Sequence, residues 1–115
     1  MNPLDLAGAC DAAHVSVPLE PVPAELVLAG APRWGTVVLG TIEGAELGVW
    51  ELTPGAMTDT EVDEIFVVLG GEAELTMPDG EVLSLRAGSV GRLSAGAATS
   101  WVVTSTLRKV YLAWG

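Results

Sequence analysis

Basic residues are scarce in this chain: five lysines and arginines stand against fifteen aspartates and glutamates, a formal net charge of −10 over 115 residues. Such a surface repels phosphate backbones and anionic lipid headgroups alike, so neither nucleic acid nor a membrane is expected as a partner. Cysteine is almost missing, and the lone Cys10 excludes an intramolecular disulfide. No basic residue near Cys10 in sequence lowers its pKa, so it reads as a small side chain rather than a reactive thiol. Histidine is equally rare. No apolar run approaches membrane-spanning length. The opening MNPLDLAGACDAAHV lacks a basic stretch and carries Asp5 and Asp11, unlike a secretory signal. A soluble cytoplasmic protein is the expectation.

What the chain does have is apolar residues, half of the total, and fourteen glycines. Its length suits one domain that buries roughly two thirds of its unfolded surface. Pro18, Pro21 and Pro23 each fix φ and remove a backbone donor, so residues 1–32 read as a Pro-rich N-terminal arm, extended or edge-like in VSVPLEPVPAEL. Residues 33–115 read differently. Eight short runs, GTVVLGTI, ELGVWELT, VDEIFVVLG, EAELTM, EVLSLR, SVGRL, TSWVVTS and LRKVYLAW, are separated by turn signals with no helix-length period between them. Pro78-Asp79-Gly80 is a hairpin turn. The pattern predicts an all-β barrel or jelly roll rather than a parallel sheet.

In VDEIFVVLG, Glu64, Phe66 and Val68 share one face and Ile65, Val67 and Leu69 the other. Both faces are apolar after Glu64. That predicts cover on both sides, and with the high hydrophobic fraction it predicts a homodimer.

Glu64, Gly71, Gly88 and Gly96 have a joint spacing that glycine-rich strands do not produce at random. It matches two signature motifs, G-x5-H-x-H-x3-E-x6-G and G-x5-P-x-G-x2-H-x3-N. Over about Arg33 to Gly115 the chain resembles the small single-domain cupins, DUF861-like and related to the ureidoglycine aminohydrolase and ethanolamine-utilisation families. The resemblance implies a single-domain cupin β-barrel, a double-stranded β-helix, with Glu64 pointing inward. It also exposes departures. The histidine positions of the motifs fall on Thr58, Thr60 and Thr99, while Leu52, Ser94 and Val103 replace a Gly, a Pro and an Asn. One carboxylate and three hydroxyls are a poor set for a transition metal, so no metal and no other cofactor is expected.

The resemblance makes Thr58, Thr60, Glu64 and Thr99 the candidate ligand-binding residues. Trp101, two positions from Thr99 on the same face, is a candidate pocket floor, with a plain core role as the alternative. Arg92 is either the cation that pairs with Glu64 or an outward side chain, because Gly91 can disturb the alternation. Tyr111 is a candidate proton donor, and Trp50 and Trp114 read as core or interface. Asp59, Glu61 and Asp63 read as a solvated loop. His14 lies in the arm, away from the motifs, and reads as a surface histidine.

Three functions stay open on this basis. The chain is a binder of a small polar molecule in the barrel without a transition metal, an aminohydrolase- or isomerase-like enzyme with Glu64 as catalytic acid or base, or a dimeric structural or regulatory protein with a vestigial pocket.

Overall fold

Alternating apolar residues and glycine turns fold into nine strands in the computed structural model, which describes residues 8–115. The strands are β1 (Glu20–Pro21), β2 (Val27–Ala29), β3 (Arg33–Ile42), β4 (Ala45–Leu52), β5 (Gly55–Thr60), β6 (Asp63–Thr76), β7 (Val82–Arg86), β8 (Val90–Leu93) and β9 (Ala98–Trp114). A single 3₁₀ turn, Ala24–Leu26, is the only helical element among the described residues.

Every ladder is antiparallel. Strand order runs β1-β3-β4-β9-β5-β2, and β6 pairs with β7, β8 and β9. The long strands β6 and β9 pair from Asp63↔Trp114 to Thr76↔Ser100 and form the spine of one nine-stranded sheet. One half of β9 pairs with β4 and the other with β5, while β6 pairs with β8 through Glu64–Val67 and with β7 through Glu72–Thr76. The result is one curled sheet, a jelly roll whose inner face carries the core, including Leu52, Met57, Phe66, Leu75, Leu93, Trp101 and Leu107.

The sequence pattern splits β6 into VDEIFVVLG and EAELTM, and β9 into TSWVVTS and LRKVYLAW. Each pair is one continuous strand, bent where the register shifts between Val68 and Ala73. GAMTDT, too polar to read as a strand from sequence, forms β5 by pairing with β9. The β3–β4 hairpin turns on Glu43 and Gly44, both at positive φ (51° and 78°), the geometry a tight two-residue hairpin requires. Pro78-Asp79-Gly80 closes the β6–β7 hairpin, with Gly80 N–H donating to the Met77 carbonyl at 2.9 Å.

The proline-rich segment is laid onto the barrel: β1 pairs with β3 and β2 with β5, while Val22 and Pro32 are buried. Arg108 donates through Nη1 to the Ala12 and Val15 carbonyls at 3.0 and 2.8 Å and pairs with Glu51 at 3.3 Å. This holds residues 12–15 against the outer side of β4 and β9. Cys10 and His14 are exposed, and His14 pairs with Asp11 at 2.7 Å. Residues 1–7 of the expected arm lie outside the described residues.

At the bend, Gly71 has φ +89°, and a Cβ there would lie 2.0 Å from the Thr106 carbonyl oxygen. Neighbouring Gly70 is unconstrained, with nothing within 4 Å of an added Cβ. Gly71→Ala is therefore expected to cost about 3 kcal/mol or more, from backbone strain and overlap together. Gly70→Ala should change stability by no more than about 1 kcal/mol. Urea midpoints of the two variants check this, and equal midpoints would contradict the bend geometry.

Candidate functional site

A cavity of about 190 Å³ lies between the inner faces of β3, β4, β5, β6 and β9. Trp50, Trp101, Val62 and Ala113 give it apolar walls, and Glu46, Asp59, Glu61, Glu64, Lys109 and Tyr111 supply its ionisable groups. A larger groove of about 600 Å³ runs along Glu72, Ser84, Arg86 and Thr104. Its Leu85 and Ala73 are core residues, and no buried ionisable group faces it, so the chemistry belongs to the smaller cavity.

Lys109 is the cation of the site. Its side chain projects inward from β9 in step with Trp101, Leu107 and Tyr111, and the residue is only 3% exposed. Nζ donates to Glu64 Oε2 at 2.5 Å. The rings of Trp50, Phe66 and Trp101 surround it at 4.5, 4.7 and 5.0 Å from their centroids, a cation–π cage. Glycine makes room for two of the aromatic rings near it. An added Cβ at Gly91 would strike Phe66, and one at Gly48 would strike Tyr111. Burial raises the Glu64 carboxyl above its ordinary value, outweighing the attraction of Lys109.

Opposite this pair, Glu61 Oε2 accepts from Thr99 Oγ1 at 2.5 Å and from Trp101 Nε1 at 3.2 Å. Trp101 Nε1 also donates to Thr99 Oγ1 at 3.1 Å, closing a buried triangle. Asp59 is held above the usual carboxylate range by desolvation first and by repulsion from Glu61 second. Tyr111 donates its hydroxyl to Glu46 Oε2 at 2.7 Å, and burial with that carboxylate pushes its own pKa strongly upward.

Of the residues expected from sequence, Glu64, Thr99 and Trp101 come together here, Glu64 and Thr99 with exposures of 9% and 2%. Thr58 and Thr60 do not. Thr58 donates to the Thr99 carbonyl at 2.9 Å, and Thr60 is exposed, because β5 turns Met57 and Asp59 inward instead. The chain leaves regular pairing at Glu61 and Val62, which breaks the two-residue alternation between β5 and β6; a one-residue slip moves every side chain to the other face. Arg92 lies on the outer side of β8, opposite Ile65, and the cation for Glu64 is Lys109. Asp59 and Glu61, expected in a solvated loop, line the cavity, whereas Asp63 accepts from Ala95 N–H at 3.0 Å in a turn. Trp50 stacks at a tilt on Trp101, with centroids 5.4 Å apart, and Trp114 is partly exposed.

Lys109 and Glu46 were missed. The signal for Lys109 was present: once Trp101 faces inward, counting by twos along β9 reaches Lys109 and Tyr111.

The site does not fit the metal that histidine-bearing cupins hold. Thr99 is committed to Glu61, Thr58 and Thr60 face elsewhere, and the Lys109 ammonium sits against Glu64 where a bound ion would have to lie. Among the described residues no group of three His, Cys, Asp or Glu side chains converges as a metal would need.

The buried pair generates a stability test. Lys109→Met leaves Glu64 without its cation in a desolvated cage and is expected to cost about 3–5 kcal/mol. Glu64→Gln together with Lys109→Met should recover most of that loss, since neither charge remains. Glu64→Gln alone should cost less than Lys109→Met, because Asp59 still attracts the ammonium and the three rings still cage it. A carboxyl whose pKa is raised by folding contributes stability below its unfolded pKa and loses it as pH rises through the raised value. The deficit of Glu64→Gln relative to wild type should therefore shrink from acid to neutral pH. Denaturant midpoints of the four proteins across pH measure all of this, and strictly additive single and double costs would exclude the coupling.

Comparison with known proteins agrees with the geometry of the barrel. A DUF861-family protein of unknown function from Pseudomonas syringae superposes with a TM-score of 0.73 at 20% identity, covering 87% of this chain and 45% of that one. The EutQ protein of Clostridium difficile gives 0.63 at 23% identity, covering 72% and 68%. A structure of unknown function from Rhizobium leguminosarum gives 0.65 at 19%, covering 70% and 80%. No curated protein matches the chain. The profile described as the EutQ-like cupin domain matches residues 39–111, which contain the bend at Gly71, the Glu64–Lys109 pair and nearly all of the cavity lining, and the chain therefore belongs to the EutQ-like cupin domain family.

Proposed function

We propose that this cupin binds a small polar molecule in the barrel cavity and does so without a transition metal. The observation that carries the reading is the lining itself: an interior space of about 190 Å³ faced by four carboxylates, an ammonium and a phenol. A vestigial barrel would be expected to fill that space with apolar side chains, since buried charge without a ligand to meet is costly. The apolar walls with convergent polar groups are the usual make-up of a small-molecule site.

An acid–base enzyme is the second reading, and the raised carboxyl of Asp59 is what favours it. A carboxyl held above its ordinary range by burial gives up and takes back a proton more readily than a solvated one. Glu64, the candidate acid or base by motif, is tied to Lys109 and acts in this reading as a positioning group. Asp59 is the better proton carrier, with Tyr111 too strongly held by Glu46 to release its own.

The chain is also proposed to work as a homodimer. On the outer face of β6, β8 and β9, Val67 lies between Val90 and Val110, and Ile65 beside Leu112. Val90 is 71% exposed, and Ile65, Val67 and Trp114 are exposed with it. No helix among the described residues is long and apolar enough to cross a membrane. Burial against a second copy is the simplest way to cover an apolar strip on an acidic protein.

A fragment library containing cationic, neutral and anionic compounds tests the binding reading. Ligands should shift the Trp50 and Trp101 indole N–H resonances, and Ala113→Trp, which fills the cavity, should abolish the shifts. Responses confined to outer-face resonances, or persisting unchanged in Ala113→Trp, would sink it. For the dimer, sedimentation at micromolar concentration should give twice the chain mass, and the Val67→Glu, Val90→Glu double variant should sediment as a folded monomer. A monomeric wild type rules the dimer out.

A further inference from the structure

Lys109 is the chain's single lysine; the other four basic residues are Arg33, Arg86, Arg92 and Arg108. Lysines gather at protein surfaces, where water keeps the ammonium solvated. Here the only one is 3% exposed, while Arg33, Arg86 and Arg92 stay outside. A buried ammonium–carboxylate pair adds little to stability over an apolar pair of the same volume, so packing alone does not account for its place.

Lys109 and Glu64 both line the cavity of about 190 Å³, with Trp50 and Trp101 beside them. The amine is therefore desolvated, fixed in position next to open space, and 2.5 Å from a group that can take its proton. Burial of the Glu64 carboxyl raises it despite the pull of Lys109, which brings the neutral pair, amine beside carboxylic acid, closer to the charged one. A neutral amine at a cavity wall is a nucleophile.

We propose that Lys109 captures a small uncharged aldehyde in the cavity as an imine on Nζ; this rests on reading the cavity as a ligand site. The first proton passes from Nζ to Glu64. The nitrogen lone pair then bonds to the carbonyl carbon, and the π pair of the C=O bond moves to oxygen, which takes the proton back from Glu64. Nitrogen gives a second proton to Glu64. The hydroxyl receives it as the C–O bond breaks, and water leaves while the nitrogen lone pair closes the C=N bond. Ammonium and aldehyde become iminium and water, with two of the three ammonium protons in the water. No oxidant, reductant or further acid enters, and the positive charge that Glu64 and the three rings hold is retained.

The surroundings select the class of carbonyl. The volume equals roughly six waters at about 30 Å³ each, which admits only a few heavy atoms. Trp50, Val62 and Ala113 suit a short carbon chain, and Asp59 and Glu61 on the same wall repel a carboxylate, which disfavours keto acids.

The full chain is treated at neutral pH with propanal and sodium cyanoborohydride, which fixes an iminium as a stable secondary amine. Peptide mass spectrometry then reads Lys109 and the α-amino group, the only two aliphatic amines of the chain. Relative to the α-amino group, labelling of Lys109 should be about tenfold or more faster in the folded chain than in guanidinium chloride, and should saturate in propanal. A lysine buried for structure alone does the opposite: folding protects it and denaturant releases it. That comparison needs no variant. Ala113→Trp, shown to be folded by circular dichroism, should lose labelling at Lys109 and keep it at the α-amino group. Acetone and pyruvate should gain nothing at Lys109 from folding.

If folding speeds the labelling of Lys109 with none of the three probes, the imine is overturned, and the fragment library separately decides the fate of the binding reading. Saturable labelling by pyruvate or acetone in preference to propanal would overturn the uncharged aldehyde. Unchanged labelling of Lys109 in folded Ala113→Trp would place the reaction outside the cavity and overturn the proposal as well.

Discussion

The antiparallel pairing of β6 with β9 is the contact on which the rest of the molecule hangs. Each of these two strands carries two further strands along its length, so their shared ladder fixes how the curled sheet closes on itself. Their bend is set by close approach of backbone to backbone, with Gly71 against the carbonyl of Thr106. A side chain at that point would force the strands apart and open the barrel. Because Glu64 and Phe66 stand on one strand, and Trp101, Lys109 and Tyr111 on the other, the same ladder assembles most of the cavity.

Within that frame the electrostatics follow from one placement. An ammonium in an aromatic cage beside a carboxylate satisfies the inward glutamate without an outside ion. Burial penalises both charges, and their contact with the ring faces offsets part of the penalty. The Thr99–Glu61–Trp101 triangle is built on the same economy of groups: a hydroxyl and an indole N–H bind the buried carboxylate through one oxygen and leave the other free. The cavity therefore holds an ion pair on its Glu64 side, while Asp59 and Glu61 are met there by neutral donors among the described residues.

The strands, the turns and the inward position of Glu64 were legible because they rest on local rules: alternation by twos, prolines that cannot donate, and glycines at the turns. β5 was hidden because GAMTDT has little apolar content and becomes a strand only by pairing with β9. The motif resemblance put Thr58 and Thr60 at inward histidine positions. The irregular step at Glu61 and Val62 turns Asp59 inward instead. Arg92 was weighed as the partner of Glu64 because an arginine near a motif glycine is visible in sequence. Lys109, 45 positions from Glu64, emerges only when the inward face of Trp101 is counted along the whole of β9.

The sequence by itself determined an acidic β-barrel with a carboxylate directed inward and no imidazoles at the motif positions to meet it, since strand alternation and motif spacing act over short stretches of chain. Only the tertiary structure decided what meets that carboxylate. Lys109 reaches Glu64 because the register between β6 and β9 sets their side chains face to face, and Asp59 and Glu61 share the cavity because the chain breaks its alternation between them and Glu64. Both facts are properties of how distant strands are aligned, and a one-residue change of register would turn the same side chains out to solvent.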